Sequence, residues 1–112
     1  MRAIVLARLD KVRPALMLTR GTALGYLTNV TVAPITSTTR GLTTEVRLGT
    51  RNGLDHDCVA SCDNIMTVHK DSIVKEIGFL LDDQEEALTQ AIACAFDLEG
   101  HFGQVAPPEP AR

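Results

Sequence analysis

Helical spacing occurs in one place in this chain of 112 residues. From Asp83 to about Leu98, the residues Ala87, Leu88, Ala91, Ile92, Ala95 and Phe96 recur at three and four positions and form a single apolar stripe. Upstream, the apolar residues come in runs of strand length, rich in β-branched side chains and separated by Pro, Gly and Asn-Gly. Five or more short strands followed by one helix specify a mainly β domain, a small and strongly curved antiparallel sheet or partial barrel with the helix at its end. The stripe then reads as core or dimer contact.

The runs fall in a definite order. Residues 2–9 are a first strand, with Ile4 and Leu6 on one face and Val5 on the other, and 10–12 a tight connection. Residues 14–19 are nearly all apolar, as in a central strand, and begin with Pro14, where a missing donor is tolerated. A loop over 20–27 leads to a third strand at 29–35, where Pro34 removes a ladder donor near its end, followed by an exposed loop at 38–42. Residues 43–48 alternate polar and apolar, Asn52-Gly53 marks a turn, and 58–65 are a fifth strand. The pattern predicts a short helical turn and then a short strand over 73–80. Asp82 is the expected N-cap, with Glu85 completing a capping box, and Gly100 the expected helix stop. One domain over 1–100 and a flexible, Pro-rich tail over 101–112 result.

Chemistry gathers where the third strand ends. Thr36, Ser37, Thr38 and Thr39 lie at the rim of the sheet, Lys11 and Arg13 open the second strand, and Arg40 follows the hydroxyls. Hydroxyls and guanidinium groups together suit a phosphate. The plainer reading is that Thr favours strands because it is β-branched, and that an Arg beside a strand is a solvated flank. Charge bears on the choice: residues 1–52 hold eight Arg or Lys against two acids, and residues 53–112 hold three against twelve. A polyanion could be drawn to the basic half, or the asymmetry could reflect only an acidic C-terminal helix. Asp63 and Asn64 close the fifth strand, where such a pair commonly bonds its own backbone.

Three cysteines without an export signal are expected to be reduced thiols in a cytoplasmic protein. Cys58 and Cys62 share one strand face as small apolar fillers, and His56-x-Cys58-x3-Cys62 lacks zinc-site spacing, so no metal is expected. No stretch has the length of a membrane span.

Taken in order, Lys11-x-Arg13-Pro14-Ala15-Leu16, Val32-Ala33-Pro34-Ile35-Thr36-Ser37-Thr38, Thr44-Glu45-Val46, Asn52-Gly53-Leu54 and Cys62-Asp63-Asn64-Ile65 resemble the MazF/PemK family. These are the endoribonuclease toxins of bacterial type II toxin–antitoxin modules, and the similarity runs from about residue 4 to residue 98. The resemblance implies an SH3-like small β-barrel of the MazF/CcdB/Kid-like toxin fold with a C-terminal helix. It also implies a homodimer that needs no cofactor and cuts single-stranded messenger, ribosomal or transfer RNA at a short sequence. A cognate MazE-like antitoxin would block the RNA groove with an acidic, partly disordered segment.

Metal-free RNA cleavage uses the neighbouring 2′-OH as nucleophile. The protein must supply a base, an acid for the departing 5′-oxygen, and positive charge for the phosphorane-like transition state. By the resemblance, Arg13 matches the catalytic Arg and Thr36 the catalytic Ser/Thr; the base stays unnamed, because a guanidinium is a poor one. Lys11, Arg20, Ser37, Thr38, Arg40, Asp63 and Asn64 are the expected RNA contacts, with cations on phosphates and polar tips on bases. Tyr26 is the one plausible stacking platform. Two departures stand out: Ser61 occupies a position where some members carry Arg, and the first loop, 9–12, is very short.

Two other functions share this fold: a gyrase-type toxin that acts by binding a protein, and a catalytically inactive RNA-binding relative. The first requires an exposed C-terminal helix and no Arg13–Thr36 pair, and the second a decayed phosphate site.

Overall fold

The computed structural model describes residues 2–98. Seven strands, β1 (Ala3–Arg8), β2 (Val12–Met17), β3 (Asn29–Thr36), β4 (Glu45–Leu48), β5 (Cys58–Ser61), β6 (Met66–His69) and β7 (Ile73–Phe79), precede one helix, α1 (Glu85–Ala95). Every pairing is antiparallel. The order is β4-β5-β3-β2-β1-β7, with β6 beside β3. The mainly β architecture with a C-terminal helix is therefore the expected one. The sheet does not close: β4 and β7 each pair along one edge, so the barrel is partial.

β2 and β3 are nearly continuous in apolar residues because both of their faces are covered. On one face Ile4, Leu16, Ala33, Ile35 and Leu80 pack with Leu88 and Ala91 of α1. On the other, Val5, Ala7, Ala15, Met17, Val30 and Val32 form a second cluster. Ile4, Leu16 and Leu80 are each 0% exposed, and full burial of such a side chain is worth roughly 1.5–3 kcal/mol.

β3 organises the sheet. Along one edge it pairs with β2; along the other, Asn29–Val32 pair with β6 and Ile35–Thr36 with β5. Ala33 and Pro34 lie in the gap between the two ladders, and Pro34 has no N–H to offer there. The strand expected over 58–65 breaks at this gap: it ends at Ser61, and Cys62–Asn64 form a 3-10 turn before β6 begins.

Two further expectations are corrected. The helical turn and short strand expected over 73–80 are one strand, β7, held against β1 from Ala3↔Phe79 to Ala7↔Ile73 and preceded by a 3-10 turn at Lys70–Ser72. Asp82 is not the cap of α1. It opens a 3-10 turn, Asp82–Gln84, and the Gln84 side chain accepts from the Leu81 N–H at 2.9 Å. Of the apolar stripe, Leu88 and Ala91 are buried and Ile92 and Ala95 pack on the core, while Ala87 and Phe96 are exposed. Past the end of α1, Asp97 takes left-handed geometry (φ 54), and Leu98 N–H bonds Ala93 O at 2.7 Å. Gly100 and the tail over 101–112 lie outside the described residues.

The Asn52-Gly53 turn is present, and its Asn52 side chain is buried. Asn52 Nδ2 donates to Phe79 O (2.9 Å) and to Gln84 Oε1 (2.6 Å), and Oδ1 accepts from the Gly49 N–H (3.1 Å). Gly53 has φ 88, and a Cβ on Gly78 would stand 1.7 Å from Asn52 O, so the turn packs backbone to backbone on β7.

Candidate functional site

Strand register brings Arg13 and Thr36 together. β2 pairs with β3 through Ala15↔Pro34, Leu16↔Ala33 and Met17↔Val32. Carried two residues outward, the same register sets Arg13 across from Thr36. Side chains alternate along strands, so both continue the face on which Ala15, Met17 and Val32 form the second cluster. Beyond the end of that core, the same face carries polar groups.

Arg13 is held by the carboxylate three residues before it. Its Nε and Nη2 donate to Asp10 Oδ1 and Oδ2 at 2.7 and 3.0 Å. This bond pulls the Asp10 pKa down to about 2 and pushes that of Arg13 up. Arg13 is thus a fixed cation with its remaining N–H groups uncommitted to Asp10, and it cannot serve as a base. Thr36 Oγ1 accepts from the Thr38 N–H at 3.1 Å, which leaves its own proton to donate.

Thr36 lies between two open clefts. One, of about 250 Å³, is lined by Lys11, Arg13, Thr36, Ser37, Asp55 and His56, among others. The other, of about 500 Å³, is lined by Pro34, Thr36, Thr38, Arg40, Leu42, Glu45, Ser61, Asp63 and Asn64. The break between β5 and β6 explains the second: where pairing lapses beside Pro34, the 3-10 turn supplies Asp63 and Asn64. Asp63 Oδ2 accepts from the buried Thr44 hydroxyl at 2.7 Å, and Asn64 Nδ2 donates to Ser61 Oγ at 2.8 Å. Neither is the bond to neighbouring backbone expected of such a pair: both partners are side chains, Thr44 lies on a distant segment, and the pair lines a cleft.

Arg20 is not brought to either cleft. It follows β2 at the end opposite Arg13, seven residues on, and its Nη2 bonds Tyr26 Oη at 3.3 Å. Tyr26, 68% exposed, shares that remote location. Nor does the whole basic half gather at the site. Arg2 pairs with Glu85 (3.2 Å) and Arg51 with Asp83 (2.8 Å), so two of its cations are held by the acidic residues at and just before the start of α1.

Several residues of the site went unread in the sequence. Glu45 accepts from the N–H groups of Arg40 (3.2 Å) and Leu42 (3.1 Å) and so shapes the loop that carries Arg40. Asp10 stands three residues before Arg13 in a tight turn, a spacing that signals the ion pair. His56, set aside as a poor zinc ligand, lines the Arg13 cleft and pairs through Nδ1 with Asp55 Oδ1. Cys58 and Cys62 belong to the first core cluster, Cys58 also bordering this cleft, and burial pushes the Cys62 thiol up to about 11.

Comparison with known proteins accounts for this arrangement. Residues 3–96 match the model of the PemK-like, MazF-like toxins of type II toxin–antitoxin systems. The chain is 54% identical over 99 residues to the endoribonuclease MazF3 of Mycobacterium tuberculosis, covering 88% of this chain and 96% of that protein. The solved structure of the M. tuberculosis toxin MazF-mt6 superposes with a TM-score of 0.86 at 53% identity, over 88% of this chain and 99% of that one. A mycobacterial endoribonuclease solved with its cognate antitoxin has the same fold, with a TM-score of 0.77 at 23% identity over 87% and 93% of the two chains. With a toxin-family match over nearly the whole described fold and a relative more than half identical, the chain belongs to the PemK-like, MazF-like toxin family.

Proposed function

We propose that this protein is the endoribonuclease toxin of a type II toxin–antitoxin pair, cutting single-stranded RNA at a short sequence without metal. The observation that carries this reading is the juxtaposition of Arg13 and Thr36 on one solvent-accessible face. The RNA 2′-oxygen attacks the adjacent phosphorus, the bond to the 5′-oxygen breaks, and the ends are a 2′,3′-cyclic phosphate and a 5′-OH. Arg13 neutralises charge building on the phosphoryl oxygens, and the Thr36 hydroxyl donates to one of them or orients the 2′-oxygen. Thr38, Arg40, Asp63 and Asn64 hold the nucleotide on one side of the scissile bond, and Lys11 and Ser37 hold that on the other.

The toxin acts in the cytoplasm as a homodimer and is silenced by a MazE-like antitoxin. The antitoxin's acidic segment competes for the cations that RNA uses. A gyrase-type action is disfavoured by the Arg13–Thr36 pair.

The test is incubation of the purified protein with long single-stranded RNA in EDTA, followed by mapping of 5′-hydroxyl ends. Wild type cuts at a short recurring sequence, and Arg13→Ala does not. Intact RNA with wild type overturns the reading.

A further inference from the structure

We propose that His56 is the general base of this cleavage, its Nε2 taking the proton of the attacking 2′-OH. The inference rests on the ribonuclease reading above and supplies the proton acceptor that Arg13 and Thr36 leave unassigned.

The other groups at the site are unsuited to the role. Arg13 is locked in its charged form by Asp10. Both oxygens of Asp10 are taken by Arg13, and a carboxylate held at about 2 is a weak base. Asp63 lines the other cleft and is engaged by Thr44. Lys11 offers donors in its charged form, and the Thr36 hydroxyl is already an acceptor for Thr38.

His56 has the required chemistry and placement. It lines the same cleft as Arg13, Thr36 and Lys11, and its side chain is 60% exposed, within reach of a bound strand. β5 begins at Cys58, and its Val59 pairs with Thr36, so the loop over 54–57 is delivered to the end of β3 where the hydroxyls stand. His56 Nδ1 contacts Asp55 Oδ1. A carboxylate can only accept, so Nδ1 carries the hydrogen and the lone pair lies on Nε2. Asp55 also stabilises the imidazolium once the proton arrives. In the step, Nε2 gains the 2′-OH proton, the O2′–P bond forms, and the P–O5′ bond breaks with its electron pair on the 5′-oxygen. That oxygen takes a proton from solvent water in the open cleft, and the imidazolium returns its proton to solvent. The charged and titratable groups around the ring are Asp55 and Asp57 on its own loop, Lys11 and Arg13 with Asp10 across the cleft, and Cys58, whose thiol is pushed up by burial.

The experiment uses the full-length protein and a single-stranded RNA carrying one mapped cleavage site, in EDTA, from acid to alkaline pH. His56→Gln is expected to be about 100-fold slower at neutral pH, with the rising limb of the pH–rate profile flattened, and Asp55→Asn about tenfold slower. Binding of the same RNA with a 2′-deoxy scissile nucleotide is expected to be unchanged in both variants. The His56→Gln deficit is expected to persist on a 5′-bridging phosphorothiolate, whose leaving group needs no proton. An unaltered rate and pH profile in His56→Gln would falsify the assignment. So would a deficit that vanishes on the phosphorothiolate, which marks an acid, or a loss matched by weaker binding of the 2′-deoxy RNA. Wild type that leaves the RNA intact removes the ribonuclease reading itself, a result that the variants cannot mimic.

Discussion

Both oxygens of the Asp10 carboxylate are taken by Arg13, whose Nε and Nη2 donate at 2.7 and 3.0 Å. A guanidinium gripped on one edge presents its other edge in a fixed plane, so Asp10 orients the cation and partly offsets its charge. Asp10→Asn is expected to lower kcat about tenfold while KM stays level or falls, since orientation is lost and net positive charge is gained. Steady-state kinetics on a short RNA separates the two parameters, and a rise in KM alone would contradict this role.

The same pair fixes a pH dependence. The Asp10 pKa is lowered from 3.8 to about 2, so the brace contributes fully above the ordinary carboxylate value and is lost as the pH falls through the lowered one. NMR titration of the Asp10 carboxyl is expected to show its midpoint near 2 in wild type, and close to the ordinary value in Arg13→Ala.

Thr36→Val keeps the β-branched shape that β3 favours and removes the hydroxyl. Cleavage is expected to fall by about 100-fold, the usual cost of losing one preorganised donor at a transition state. Circular dichroism is expected to be unchanged, because the side chain stands beyond the second apolar cluster. A variant that unfolds would show Thr36 to be a structural residue.

Arg40 and Arg20 are expected to separate cleanly. Arg40 lines a cleft, so Arg40→Ala should weaken RNA binding and reduce the salt slope of log Kd by about 1. Arg20→Ala is expected to leave both unchanged, because Arg20 sits at the far end of β2 with Tyr26. Filter binding over a range of salt concentrations decides it.

Stability is expected to be most sensitive where the Asn52-Gly53 turn meets β7. Gly78→Ala would place a methyl 1.7 Å from Asn52 O, against backbone that cannot swing aside. Asn52→Ala would strip partners from Phe79 O, Gln84 and the Gly49 N–H, at a cost of about 2–3 kcal/mol. Urea denaturation of both variants measures the loss, and native-like midpoints would refute the packing described.

The strand alternation, the Pro and Gly punctuation and the C-terminal stripe were enough to read the architecture, because each is a local signal. Arg13 and Thr36 were legible through the motif blocks that hold them. What stayed hidden depends on pairing between distant strands. The break at Cys62–Asn64 arises opposite Ala33 and Pro34, 28 or more residues away, and apolar content alone made 58–65 look continuous. Arg20 looked like another site cation because composition cannot tell one end of a strand from the other. His56 reads from its own stretch only as a metal ligand, since the cations and hydroxyls it meets in the cleft come from β2, β3 and the turns beside them.

Thr36 stands between two clefts, so a strand cut there, as proposed, would have its upstream and downstream nucleotides housed by different parts of the polypeptide. On that reading, preference on one side would be set by the loop after β3 and the 3-10 turn, and on the other by the β1–β2 corner and the segment before β5. Evolution, or an engineer, can therefore retune one half of the cleavage motif while leaving its other half, and the scissile chemistry, as they were.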